Sequence, residues 1–161
     1  MSQVREPESL GADLKFSPRA IFGVPVAVSV FLHVMTGGDI QVGGNLILAT
    51  AGGILASIGL VLVAWATIAL RKGGQHPDPA RATTALVTDG PFQYTRNPIY
   101  LSFTSLSLGV ALLLNSYWVL GSLPISVLGL QILVIPREER YMENVIGHQF
   151  NAYCESVRRW L

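Results

Sequence analysis

The run NPIYLSFTSLSLGVALLLNSYWVLGSLPISVLGLQILVIP, Asn97 to Pro136, contains no Asp, Glu, Lys, Arg or His. A helix crosses the hydrocarbon core of a bilayer in about 20 residues, so this run is long enough for two crossings. Asn115-Ser116 near its middle supplies a turn. The run therefore reads as a hairpin of two spanning helices, near Ile99 to Leu114 and Tyr117 to Ile135. Ile40 to Leu70 is free of the same five residue types and gives another span, and Ala20 to Met35, interrupted only by His33, gives the first. The fold class expected is all-α, a polytopic membrane helix bundle of about four transmembrane helices.

Composition agrees with that solvent. Half of the 161 residues are apolar and only 13% are charged, against roughly 25% charged in an ordinary soluble domain. A net charge of +1 gives no electrostatic case for nucleic acid as a partner. The single cysteine, Cys154, excludes an intrachain disulfide and a cysteine metal cluster. His76, in the stretch QHPDP, has no second histidine or cysteine at a metal-site spacing and reads as a loop residue, so no metal site is expected. His33 is an ionisable residue within a span and stays unassigned.

Short loops rich in Lys and Arg favour the cytoplasmic side. Arg71, Lys72, Arg81 and Arg96 lie between the second and third spans, whereas TGGDIQVGGN after the first span holds Asp39 and no basic residue. Both termini are then expected in the cytoplasm, of a plasma or inner membrane, and Arg137, Arg140, Arg158 and Arg159 near the C-terminus agree. The opening residues MSQVREPESLGADLKF mix both charges and lack the basic start and short apolar core of a signal peptide, so they read as a cytoplasmic lead-in. The expected organisation is one integral membrane domain, 1–161. It comprises a pair of spans (1–70), a cytoplasmic loop (71–97), the hairpin (98–136) and an amphipathic cytoplasmic tail (137–161).

Glycines and prolines in GGQHPDPARATTALVTDGP forbid a continuous helix after Arg71. In the tail, Met142, Val145, Ile146, Phe150, Tyr153, Val157 and Trp160 recur at three- and four-residue steps. That is the pattern of an amphipathic helix, or of two broken near Gly147. Loop and tail therefore meet at one mouth of the bundle. Two polar clusters stand there, DGPFQYTRNPIYL from Asp89 to Leu101 and Arg137-Glu138-Glu139-Arg140. As structure alone, Gly90-Pro91 turns the chain, Asn97-Pro98 starts a helix, Tyr94 and Tyr100 suit an interfacial belt, Arg96 snorkels, and the acidic pair favours a helix start after Pro136. That account treats each residue separately and leaves their joint occurrence unexplained.

GPFQYTRNPIY, a hairpin, REERY, a glycine and FNAYCESVRRW together resemble the integral-membrane isoprenylcysteine carboxyl methyltransferases and their phospholipid methyltransferase relatives. The resemblance covers roughly Thr83 to Leu161. It implies a site for S-adenosylmethionine built from Arg96, Asn97, Pro98 and Tyr100 of the first cluster and Arg137, Glu138 and Glu139 of the second, with Arg96 and Glu139 closest to the chemistry. It also implies a lipidic or small-molecule methyl acceptor, a carboxylate, thiol or amine, reached from the membrane lipids. The histidine usual in that pattern is Asn97 here, which cannot titrate near neutrality and is assigned to cofactor positioning. Adjacent glutamates diverge by about 100° on a helix, so their roles are expected to split. A sterol-type reductase using a nicotinamide cofactor shares the tail pattern but needs more spans, and a non-catalytic bundle predicts polar residues lining the spans that are nearly absent here.

Overall fold

The computed structural model describes residues 17–40, 45–77 and 83–161. The lead-in 1–16, part of the loop after the first helix and Arg81 lie outside the described residues. The described chain is nearly all helical, the one bridge between extended residues joining Asp39 to Ser116. Helix α1 spans Pro18–Thr36 and α2 Asn45–Lys72. A 3-10 turn at Gly90–Gln93 leads to α3, Pro98–Leu113. Then α4, Tyr117–Gly129, passes through a π-helical stretch, Leu130–Val134, into α5, Ile135–Ile146, and α6 is His148–Ser156.

Among the described residues three helices are long and apolar enough to cross a membrane: α1, α2 from Leu46, and the continuous rod Tyr117–Ile146. The 16 residues of α3 make a helix of about 24 Å, shorter than the roughly 30 Å hydrocarbon core. Sequence and structure agree on the hairpin turn. Asn115 adopts φ 52°, a left-handed conformation that asparagine tolerates, and the Ser116 hydroxyl caps α4 by accepting from Val119 N at 3.3 Å.

Pro136 starts no separate helix. It has no N–H, and its ring would clash with the carbonyl one turn back in a regular α-helix. The backbone widens just before it, Ile135 N–H donating to Leu130 O five residues earlier, and the rod continues past the proline. It stops at Gly147, whose φ of 67° lies in the left-handed region.

The helices pack in the order α2–α3–α4–α1. Glycines set the closest approach: a Cβ on Gly109 of α3 would lie 2.6 Å from Ala56 N of α2, and one on Gly52 2.8 Å from Gly109 O. At one end of the bundle the residues just after α1 meet the hairpin tip, where Tyr117 N donates to Gly38 O at 3.0 Å and Ile40 N to Asn115 O at 2.9 Å. At the other end the described part of the long loop, α5 and α6 line a common cavity, next to a core of Phe22, Tyr100, Leu123, Leu130, Val134 and Ile135 against which Trp160 of the tail packs.

Candidate functional site

Each side chain of the site owes its position to a local feature. Gly90, with φ 64°, and Pro91 turn the chain into the 3-10 segment. Pro98 begins α3 and so fixes Arg96 and Asn97 just ahead of the helix and Tyr100 one turn in. The rod past Pro136 carries Glu138 and Glu139 to the same level, and the break at Gly147 folds α6 back across them.

These elements enclose a cavity of about 600 Å³. Arg96, Asn97, Pro98, Tyr100, Glu138 and Glu139 all line it; Arg137 does not. Both glutamates thus face the cavity, and their roles are divided by their partners. Tyr100, buried at 8% exposure, donates its hydroxyl to Glu138 Oε1. Glu139 Oε1 lies 3.1 Å from Arg96 Nη1. Arg96 and Glu139, the two residues expected closest to the chemistry, are thus joined as an ion pair on one wall. Arg96 also donates to Cys154 Sγ, and its Nε is buried without a hydrogen-bond partner among the described residues.

A residue not singled out by sequence completes the cluster. Arg159 grips Glu139 with two nitrogens, Nε to Oε1 at 3.1 Å and Nη2 to Oε2. That hydrogen bond holds its guanidinium pKa above the usual value. The Arg159 carbonyl accepts from Thr95 Oγ1 at 3.1 Å and Asn97 Nδ2 at 3.0 Å, and the Arg158 carbonyl from Arg96 N at 3.0 Å. Asn97 therefore spends its amide on holding the tail.

The remaining wall is largely apolar or aromatic. Phe92, Phe103, Tyr141, Met142, Phe150 and Tyr153 line it, with Val63, Thr67 and Leu70 from α2 and Pro18 and Arg19 from α1. Tyr153 donates to Phe92 O at 2.7 Å, and burial pushes its phenol up to about 12 although the Arg96 charge pulls the other way. The loop is held by Gln75, whose amide bonds Thr84 at Oγ1 (2.8 Å) and N (3.0 Å), and by Thr83 N donating to Tyr141 Oη at 3.1 Å. His76, read from sequence as a loop residue, is one and also lines the cavity. Tyr94 is 65% exposed and suits an interfacial belt; Tyr100 does not.

The volume falls within the roughly 300–1,000 Å³ of sites that hold small molecules and cofactors. Polar groups at one wall and an apolar remainder suit a ligand with a charged end, or two ligands of different character. Residues 47–149 match the family model described as phospholipid methyltransferase. No curated protein and no solved structure matches the chain.

Proposed function

The chain belongs to the phospholipid methyltransferase family, and from that premise we propose that it transfers a methyl group from S-adenosylmethionine to a lipidic acceptor at the cytoplasmic face of its membrane. The observation that carries this reading is a cavity whose wall brings together the guanidinium-bearing Arg96 and the carboxylate of Glu138. S-adenosylmethionine presents a carboxylate and an ammonium, and when bound it supplies a methyl group activated by a positive sulfur. Arg96 suits the carboxylate, since a guanidinium offers its donors in a planar fork. Glu138, with no cation partner among the described residues, suits the ammonium. Asn97 and Pro98 set the backbone on which Arg96 stands.

The residues of the chain contribute chiefly alignment and exclusion of water, the main sources of rate in a displacement of this kind. Phe92, Phe103, Phe150 and Met142 provide the dry wall. An acceptor that is already an anion needs no base; an ammonium acceptor must first lose a proton, and Glu138 is the carboxylate on this wall able to take it. Helices α1 and α2, which share this cavity without a packed interface between them, leave a side from which a lipid can enter.

The test is calorimetric titration of the purified protein with S-adenosylhomocysteine. Arg96→Ala and Glu138→Gln should each weaken binding by about 1.5–3 kcal/mol, the worth of a charge-assisted hydrogen bond. Arg96→Lys should recover part of the loss, keeping charge without the fork. Wild-type affinity in all three would sink the site.

A further inference from the structure

Arg159 does not line the cavity, yet it makes three hydrogen bonds with residues that do, two with Glu139 and one with Asn97. A lone glutamate opposite a lone arginine can satisfy itself in several geometries, with either carboxylate oxygen and any face of the guanidinium. Arg159 removes that freedom. Its fork engages both Glu139 oxygens, and Arg96 shares Oε1 with it by one terminal nitrogen. The same nitrogen of Arg96 also meets Cys154 Sγ, so the guanidinium is held in place at one end on the cavity wall. The charge arithmetic agrees. Two arginines on one carboxylate leave one positive charge uncompensated within the trio, and Arg96 is the member of the two that reaches the cavity.

The backbone of the tail reinforces the geometry. Carbonyls of two successive residues, Arg158 and Arg159, accept from three successive residues, Thr95, Arg96 and Asn97. Trp160 anchors the segment, its Nε1 donating to Gln131 Oε1 at 2.9 Å inside the π-helical stretch. The side chain of Arg159 is thus delivered to Glu139 by a strap fixed on both sides.

We propose that Arg159 is a positioning residue for this site: from outside the cavity it holds Glu139, and through Glu139 it fixes the guanidinium of Arg96 on the cavity wall for an anionic group of the ligand. This rests on the reading of the cavity as an S-adenosylmethionine site, so its test has one measurement that needs no ligand. Cys154 is the only cysteine and lies against Arg96. Arg159→Ala should speed its modification by a maleimide in the detergent-solubilised protein, by about tenfold if one charge-assisted hydrogen bond held the cluster. Arg140→Ala, which removes the same charge from an exposed residue of α5, should not change the rate.

The second measurement is S-adenosylhomocysteine affinity. Arg159→Ala should weaken it about tenfold in the wild-type background and have no further effect in an Arg96→Ala background, because the residue acts through Arg96. Arg159→Lys should restore part of both properties. Unchanged labelling and unchanged affinity in Arg159→Ala, with only a lower melting temperature, would overturn the proposal and leave Arg159 as a stabilising contact. Additive losses in the double variant would overturn it too. Failure of the wild type to bind S-adenosylhomocysteine would overturn the cofactor reading instead, and the labelling rate would still decide whether Arg159 holds the cluster.

Discussion

Among single residues, Tyr153 separates structure from charge. Its hydroxyl is spent on Phe92 O, and the pKa raised from 10.0 to about 12 means that the neutral form is favoured in the folded state. Such a group contributes its stability in full below the unfolded value, near pH 10, and loses it only as pH climbs through about 12. Tyr153→Phe should therefore cost about 1 kcal/mol, and the cost should be constant from pH 6 to 9 in thermal melts. A cost that varied across that range would mean that another titrating group depends on this hydroxyl. Of the residues singled out from the sequence, Arg96, Asn97, Pro98, Tyr100, Glu138 and Glu139 line the cavity and Arg137 does not. Their pairing was not. Whether Glu139 meets Arg96 or a ligand depends on side-chain directions across two elements, and helix phase beyond Pro136 is altered by the π-helical stretch. Arg159 was hidden for another reason: Arg158 and Arg159 are chemically alike, and only the extended backbone after α6 decides which of them turns inward. The one signal was charge balance, two glutamates beside a single inward arginine.

At the scale of elements, the tight pair α2 and α3 carries the first cluster. Gly109 meets α2 backbone where a methyl group has no room, whereas Gly53 has open space around it. Gly109→Ala must move one helix and should lower the melting temperature clearly, as overpacking costs about 1–3 kcal/mol. Gly53→Ala should be neutral or stabilising by up to about 1 kcal/mol, since it removes a glycine from a helix interior. Equal effects would mean that the close approach does not set the helix spacing. Hydropathy located these helices to within a few residues, except that α2 begins at Asn45 where the charge-free run begins at Ile40. The break at Gly147 was also readable, because glycine both weakens a helix and permits the left-handed turn. The unbroken passage through Pro136 was not, because a proline ordinarily marks a boundary.

For the whole molecule, the gathering of loop, α5, α6 and tail at one end of the bundle makes sidedness a testable matter. In a Cys154→Ser background, Lys72→Cys should be protected from an impermeant thiol reagent in intact cells and Asp39→Cys should be labelled. The reverse pattern would put the cavity on the face opposite the cytoplasmic supply of cofactor. The packing order α2–α3–α4–α1 has a consequence for biosynthesis. The two helices made first have no packed interface with each other, and the glycine face of α2 and the Ser29 side of α1, which meets Ser122, are completed only by the later hairpin. Each must wait singly in lipid until the hairpin is inserted and bridges them. Assembly is then a closing step rather than a growing one, and a nascent chain released before the hairpin has emerged holds two separate helices and no bundle.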